Sequence, residues 1–322
     1  GWGRVNLPEG PLLLLVLPVL AAGTTYLVRR WALLAAFIAA ATSGVLAFLC
    51  LRLPLDQSST ILGQDVNFGL HVDVIGQKLQ LHPAGQLWLA FIFGLAVVLY
   101  LAAWRISPGR SFYPFSLVIM ALYVLVILLE GFSLQVLAYA ISVTLAVFII
   151  QGGQLGPVRG AQRYLVVSLL AVPLLLAAAW LMDPARSTPQ DAETVRRVLI
   201  PAALGFGLLL GAFPFGTWMP ALAATTPPIV TAFVFTAGQA MALFLMLVFL
   251  QDNPLILSDG VTPAVIQIAG LVMVVAGGVM AAAQRGFGRL FGYAAMSDMG
   301  ILLLALVAAG SQSVTLVLLH LV

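Results

Sequence analysis

Long apolar runs separated by short polar segments dominate this chain of 322 residues from one end to the other. The hydrocarbon core of a bilayer is about 30 Å thick, so a helix that crosses it needs about 20 apolar residues. The pattern predicts ten such helices, at about 11–28, 31–53, 84–104, 112–129, 132–151, 164–182, 198–213, 228–250, 262–283 and 290–309.

An eleventh apolar run begins near Ser313 and reaches the last residue, Val322. A helix that ended halfway across a bilayer would leave backbone polar groups without partners in lipid. We therefore expect the sequence to be part of a longer protein.

Composition narrows the class of protein. Hydrophobic residues make up 62% of the chain and charged residues 8%, whereas a soluble domain carries about 25% charged residues. The sequence therefore predicts an all-α polytopic membrane protein with about eleven transmembrane helices and lipid as its solvent. The net charge is +3, and the basic residues lie in short loops, so nucleic acid is not an expected partner. The single cysteine, Cys50, allows neither an intrachain disulfide nor a cysteine-based metal site.

Loop charges alternate along the chain. The loops after the first, third, fifth and ninth predicted helices hold pairs of arginines and no acid: Arg29 and Arg30, Arg105 and Arg110, Arg159 and Arg163, and Arg285 and Arg289. The acidic residues lie in the alternate loops, namely Asp56, Asp65, Asp73, Glu130, Asp183, Asp191, Glu193, Asp252 and Asp259. Because arginine-rich loops stay in the cytoplasm, the N-terminus is expected outside.

One segment on the expected outer side, residues 54–83, has a different period. Apolar residues alternate there with mostly polar positions or glycine, at Val66, Phe68, Leu70, Val72 and Val74. This is strand periodicity, and it predicts a short external β-hairpin. His71 and His82 also lie in this segment, but two histidines at that spacing give only a weak metal signal.

The seventh predicted helix is interrupted. Glycines thin it at Gly205, Gly207 and Gly211, and the segment Phe213-Pro214-Phe215-Gly216 then breaks it, because proline lacks an amide donor and clashes with the preceding turn. One interpretation is a re-entrant loop or interfacial turn anchored by Trp218. The other is a discontinuous helix whose freed carbonyls line a hydrated cavity.

Asp298 lies inside the apolar run Arg289–Gly310. A carboxylate at the centre of a membrane helix costs about 2.5–3.5 kcal/mol on insertion scales unless it is paired or hydrated, so such residues are functional candidates. The alternative is a structural carboxylate bonded to Ser297, to Tyr293 or to a neighbouring subunit.

Two blocks of sequence resemble a known family. The segment 213–220, FPFGTWMP, resembles the signature FPFHTWLP, and the segment 289–300, RLFGYAAMSDMG, resembles RLLAYSSISHMG. Both signatures mark the antiporter-like membrane subunits of respiratory complex I, of membrane-bound hydrogenases and of Mrp-type cation/proton antiporters. Arg163-Tyr164 at the start of the sixth helix and the hairpin after the second helix also fit this family.

The resemblance implies a bundle of about fourteen helices with two inverted five-helix repeats, each containing a broken helix. On that basis residues 1–110 form three peripheral helices with the external hairpin at 54–83. Residues 111–250 form the first repeat, and residues 251–322 form the start of an inverted second repeat, which is cut off.

The proton-relay residues of the family do not carry over. Leu209 stands at the position of its lysine before the break, Gly216 at the position of the signature histidine, and Ala140 near the position of its glutamate. A lysine or histidine of the next helix corresponds to Gln239 or Ala240, and glutamine can orient water but does not titrate.

Four polar residues remain as candidates for a proton path: Asp298, His320, Gln239 and Gln267. His320 resembles a histidine of the family's eleventh helix. Gln239 and Gln267 have the alternative role of hydrogen-bond partners between helices. The helix-break residues are Phe213, Pro214, Phe215 and Trp218.

The resemblance implies a membrane subunit of a complex I-type complex in the bacterial cytoplasmic membrane. It would contribute to proton or cation translocation driven by redox chemistry in partner subunits, or serve as a degenerate scaffold. It would be a non-catalytic subunit of an NADH-quinone oxidoreductase-type translocase, without a cofactor or metal of its own and without direct contact to quinone. The alternatives are an Mrp-like sodium/proton antiporter subunit and an unrelated solute transporter with a site at the broken helix.

Overall fold

A computed structural model describes residues 10–52, 59–61, 64–66, 72–74, 77–106, 108–152, 158–182, 192–254, 256 and 260–309. The chain forms two compact units, Gly1–Gly152 and Gly153–Val322. This division by packing does not test the repeats implied by the resemblance, whose boundaries stay a prediction.

Helices account for most of the described residues. In the first unit they are α1 (Gly10–Leu27), α2 (Ala32–Arg52), α3 (Pro83–Ile106), α4 (Phe112–Leu128) and α5 (Phe132–Ile150). In the second unit they are α6 (Arg159–Leu181), α7 (Ala192–Leu209), α8 (Trp218–Thr225), α9 (Pro228–Asp252), α10 (Val261–Ala282) and α11 (Phe287–Ala309).

Seven described helices are long and apolar enough to cross a bilayer: α2, α3, α5, α6, α9, α10 and α11. Two shorter helices, α1 and α4, are also apolar. The protein is therefore a nearly all-helical, multi-pass membrane protein. The predicted eleventh helix, at 313–322, lies outside the described residues.

The predicted helices agree with the structure except at some ends. The helices α6 and α7 begin at Arg159 and Ala192, about five residues before the predicted starts. Hydropathy detects only the apolar part of a helix, whereas residues such as arginine, alanine and glutamate continue the helix into polar sequence.

The predicted hairpin region contains two short antiparallel strand pairs. β1 (Ser59–Ile61) pairs with β2 (Gln64–Val66), and β3 (Val72–Val74) pairs with β4 (Gln77–Leu79). The segment is tied to α4, since the amide of Gln80 donates to the carbonyl of Leu128 at 2.9 Å. Its position on the external face stays a prediction.

Small residues let helices approach closely in the second unit. A Cβ atom added to Gly292 on α11 would overlap the backbone of Pro220 on α8. A Cβ added to Gly277 on α10 would come within 2.8 Å of the amide nitrogen of Ser297 on α11. Such contacts are typical of helices that pack in lipid. They attach α11 to both α8 and α10.

Candidate functional site

The candidate site is the break between α7 and α8. α7 ends in a Schellman cap, in which Gly211 has a φ of 72° and the amide of Ala212 donates to the carbonyl of Gly207 at 2.7 Å. Glycine adopts this left-handed conformation without a Cβ clash, and proline commonly follows such an end. The structure therefore confirms that the seventh predicted helix is interrupted. It also explains why α7 stops at Leu209, four residues earlier than predicted.

The residues after the cap make a tight connection to α8. Phe213, Pro214 and Phe215 have exposed side chains, and a 3₁₀ turn covers Phe215–Thr217. Gly216 is buried, and a Cβ there would overlap the carbonyl oxygen of Gly211 and lie 2.7 Å from the sulfur of Met296. The connection therefore requires glycine at position 216.

Trp218 is the residue of the break that lies deepest in the second unit. Its side chain is 1% exposed. Its ring centroid lies 5.4 Å from that of Tyr164 on α6 and 6.1 Å from that of Phe235 on α9. These contacts hold α6 and α9 against the break, and they do not fit the interpretation of Trp218 as an anchor exposed at the lipid boundary.

Gln239 on α9 connects that helix to the end of α7. Its Nε2 donates to the carbonyl oxygen of Leu209 at 3.2 Å, and the side chain is 3% exposed. The carbonyl lies in the last turn of α7, where no further helical amide is available as donor. The glutamine amide thus supplies the hydrogen bond that the interrupted helix lacks.

α9 itself is irregular just before Gln239. Residues Val234–Gly238 form a π-helical stretch, and the hydroxyl of Thr236 donates to the carbonyl of Ala232 at 2.6 Å. π-Helical turns are rare and frequently lie at functional sites. The two irregular backbones, the end of α7 and the π-helical turn of α9, are joined by the hydrogen bond of Gln239.

Several buried polar atoms near the break lack a hydrogen-bond partner among the described residues. They are Gln239 Oε1, Trp218 Nε1, Thr226 Oγ1 and Thr231 Oγ1. Their side chains are 1–7% exposed. Buried polar groups without a protein partner are commonly bonded to ordered water.

Comparison with known proteins identifies the family. A family model described as "NADH:quinone oxidoreductase/Mrp antiporter, TM" matches residues 137–322, more than half of the chain. The chain belongs to this family. The match includes the whole break, with Gln239, and the whole of α11.

Relatives in the same family carry the name NADH-quinone oxidoreductase subunit N. The protein from Desulforudis audaxviator is 28% identical over 272 residues, which cover 76% of this chain and 53% of the relative. The protein from Sphingopyxis alaskensis is 24% identical over 273 residues, which cover 79% of this chain and 56% of the relative. This chain therefore spans about half the length of these relatives.

Solved structures share the fold of the family. A chain of the Mrp complex from Dietzia sp. DQ12-45-1b matches 97% of this chain, with a TM-score of 0.76 at 21% identity. In respiratory complex I from Thermus thermophilus the TM-score is 0.75 at 17% identity, with 97% of this chain and 68% of that chain covered. A membrane-bound sulfane sulfur reductase gives a TM-score of 0.74 at 16% identity. At these identities the likeness concerns the fold alone.

The remaining predicted site residues lie apart from the break. Asp298 on α11 and Gln267 on α10 have exposed side chains. Beside Asp298, the hydroxyl of Ser297 donates to the carbonyl of Val274 at 3.2 Å, which joins α11 to α10. His320 lies outside the described residues. Of the four proton-path candidates, therefore, only Gln239 lies at the break among the residues that the structure describes.

A second group of polar side chains, in the first unit, was not predicted from the sequence. Tyr123 on α4 interacts with the hydroxyl of Ser142 on α5, and both side chains are buried. Tyr100 on α3 and Tyr113 on α4 have ring centroids 6.1 Å apart, and the hydroxyl of Tyr113 has no hydrogen-bond partner in the described chain. Tyrosine and serine inside apolar runs were the available signal, but apolar packing hides which of them converge.

The part of the chain that the structure describes contains no group of three or more His, Cys, Asp or Glu side chains able to hold a metal ion. The buried polar groups described near the break are amide, hydroxyl and indole groups. Such groups can orient water and bond to backbone carbonyls.

Proposed function

We propose that this chain is an antiporter-like membrane subunit of a complex I-type complex. In that complex it contributes to proton or cation movement driven by redox chemistry in partner subunits. The observation that supports this most directly is the break of α7, with its freed carbonyl of Leu209 held by Gln239 at 3.2 Å, in a chain of the NADH:quinone oxidoreductase/Mrp antiporter family. The chain covers about half of its relatives, so the activity of the whole protein is part of this proposal.

The route that we propose at the break runs through water. Leu209 and Gly216 cannot hold a proton, and Gln239 does not titrate. Water molecules would form the hydrogen bonds that three buried atoms lack: Gln239 Oε1, Thr231 Oγ1 and Trp218 Nε1. The side chains orient a short file of water between α7, α8 and α9, and the proton moves along that file.

Asp298 supplies the titratable group in this proposal. Its carboxylate lies on the exposed face of α11, among apolar neighbours such as Phe291 and Ile301. Because a carboxylate facing lipid is costly, we propose that this face of α11 packs against a neighbouring subunit or a further part of the protein. Gln267, on the helix that packs against α11, and His320 complete the set of polar candidates.

The proposed setting is the bacterial cytoplasmic membrane with the N-terminus outside. The arginine pairs of the alternate loops support this orientation. It places the strands β1 to β4 on the external face and the α10–α11 connection in the cytoplasm. The eleven-helix count belongs to the same proposal.

The test uses the intact complex purified through a tag on this chain and reconstituted into vesicles. The quantity measured is the number of protons moved per electron transferred. We expect Asp298→Asn and Gln239→Leu each to lower this ratio while electron transfer continues. Gln162→Leu is the control for Gln239→Leu, since it makes the same change at an exposed position of α6 that lies outside the proposed path. A ratio unchanged in both variants would leave the chain as a scaffold without conduction.

An Mrp-like sodium/proton antiporter is the second candidate, because the Mrp complex has a TM-score of 0.76 against 0.75 for complex I. The fold therefore does not separate the two. A sodium gradient imposed on the same vesicles without electron donor separates them. An antiporter moves protons in response to sodium alone, whereas the redox-driven subunit does not.

A further inference from the structure

A cluster of buried hydroxyl groups lies inside the first unit, between α3, α4 and α5, and it takes no part in the water route at the break. Each of its side chains is at most 4% exposed. A hydroxyl group in an apolar interior costs free energy unless it has a hydrogen-bond partner or water, whereas an apolar side chain of similar size packs without that cost. The members of the cluster are Tyr100, Tyr113, Ser116, Tyr123, Tyr139 and Ser142.

The part of the cluster at the start of α4 is held by aromatic contacts. The ring centroids of Tyr100 and Tyr113 lie 6.1 Å apart, and that of Phe112 lies within 5.9 Å of both. The hydroxyl of Tyr100 approaches that of Ser116, which itself donates to the carbonyl of Tyr113 at 3.1 Å. Neither tyrosine hydroxyl completes a hydrogen bond within the described chain. Both hydroxyls therefore keep a donor and an acceptor for a further partner.

The cluster continues along α4 to α5. Tyr123 lies seven positions after Ser116, which is about two helical turns, so the two side chains share a face of α4. The hydroxyl of Tyr123 interacts with that of Ser142, and Tyr123 lies within electrostatic range of Tyr100 and Tyr139. Ser142 donates to the carbonyl of Tyr139 at 2.6 Å. The hydroxyl groups thus extend from α3 along one face of α4 to α5.

The cluster spans about half of the apolar layer. Tyr113 is the second residue of α4, directly after the loop that holds the exposed Arg110. From Tyr113 to Tyr123 the helix rises about 15 Å, and the hydrocarbon core of a bilayer is about 30 Å thick. The cluster therefore begins near the polar end of α4 and stops midway across the membrane.

We propose that this cluster is a second proton path, a file of hydroxyl groups that leads from the loop before α4 to the middle of the first unit. Each hydroxyl oxygen accepts a proton from one neighbour while its own hydrogen passes to the next, so no proton is consumed and no group stays charged. Water completes the file at Tyr100 and Tyr113, whose hydroxyls have no partner in the described part of the chain. The proposal rests on the proposed function, because it adds a path to the same proton movement.

The first test measures the protons moved per electron transferred by the intact complex in vesicles. Tyr100→Phe and Tyr113→Phe keep the ring and remove only the hydroxyl. We expect each variant to lower the ratio by the same fraction, and the double variant to lower it no further, because the two hydroxyls act on one path. Tyr26→Phe is the matched control. It makes the same change at a side chain that is 50% exposed, near the end of α1, and should keep the parental ratio.

The unfolding midpoint separates conduction from a structural role. Removing a hydroxyl that is bonded to protein lowers stability, whereas the hydroxyls of Tyr100 and Tyr113 have no such bond among the described residues. Both phenylalanine variants are therefore expected to unfold at nearly the temperature of the parent protein in detergent.

The second test detects the water itself. X-ray radiolysis converts bound water to hydroxyl radicals, which oxidise the nearest side chain, and mass spectrometry locates the oxidised residue. We expect oxidation of Tyr100 in the intact complex although its side chain is 0% exposed. Phe249 is the control, because it is 2% exposed and its ring packs against Phe206 in apolar surroundings. It should remain unmodified.

The outcomes separate this path from the proposed function. Unchanged ratios in both tyrosine variants, with a lowered ratio in Asp298→Asn, would overturn the hydroxyl path and leave the proposed function in place. Unchanged ratios in all three variants would contradict both. A lowered ratio that is additive in the double variant, with a lower unfolding midpoint and no oxidation of Tyr100, would reduce the cluster to a packing role and overturn the path.

Discussion

Gln239 is the residue on which the geometry of the break depends. Its amide holds the carbonyl of Leu209, and its remaining oxygen is buried without a partner among the described residues. The sequence alone identifies Gln239 as a candidate residue of the functional site. Its contact with the carbonyl of Leu209 could not, because a hydrogen bond across 30 positions depends on how α7 ends and on the π-helical turn of α9.

Replacing Gln239 by leucine is expected to destabilise the protein by about 1–3 kcal/mol, because it leaves a buried carbonyl without its donor. The thermal unfolding midpoint of the protein in detergent, followed by circular dichroism, should fall by several degrees. Gln267→Leu makes the same substitution on an exposed face of α10 and should leave the midpoint nearly unchanged. Equal shifts in the two variants would mean that the bond to Leu209 contributes nothing.

Gly216 accounts for one departure from the signature that the sequence resembles. A histidine there would place its Cβ against the carbonyl of Gly211, so the backbone of the connection would have to move. The local backbone therefore leaves no space for a histidine side chain at position 216. The sequence alone displayed the difference but not its steric reason.

Even Gly216→Ala is expected to cost about 1–3 kcal/mol, the usual range for overpacking a filled site. The midpoint of thermal unfolding measures this cost. Gly278→Ala is the matched control, since a Cβ there meets nothing closer than the hydroxyl of Ser297 at 4.0 Å. If Gly216→Ala unfolds at the temperature of the parent protein, the connection between α7 and α8 is not tightly packed.

At the scale of elements, hydropathy was a sufficient guide to the helices. A helix surrounded by lipid and by other helices is apolar on every face. Each described helix that is long enough to cross a membrane therefore appears in the sequence as a continuous apolar run. The irregular features have no comparable signal in the sequence. The cap at Gly211, the π-helical turn at Val234–Gly238 and the second strand pair depend on local hydrogen bonds that no period encodes.

The orientation of these elements can be tested with single cysteines. Cys50 is buried and is first replaced by alanine. Ser133→Cys is then expected to react with a membrane-impermeant maleimide added outside intact cells, because it is exposed in the first turn of α5, next to the acidic loop that holds Glu130. Gly286→Cys, in an arginine loop, should react only after the membrane is opened. The reverse pattern would place the N-terminus inside.

At the scale of the whole molecule, the two signature blocks of the sequence are sufficient to indicate the family. They are separated by about seventy positions, yet α8, which begins inside the first block, packs directly on α11, which contains the second, with Gly292 against Pro220. That packing explains why the two blocks belong together. The position of Asp298 on the exposed face of α11 could not be obtained in the same way, because hydropathy gives no helix orientation when every face is apolar.

The central claim is that this chain works inside a redox-driven complex. The measurement that tests it most directly is the internal pH of vesicles that contain the complex isolated through a tag on this chain. Adding NADH and quinone is predicted to change that pH, and a protonophore is predicted to abolish the change. The claim is contradicted if the chain is isolated without redox subunits and a sodium gradient by itself changes the pH.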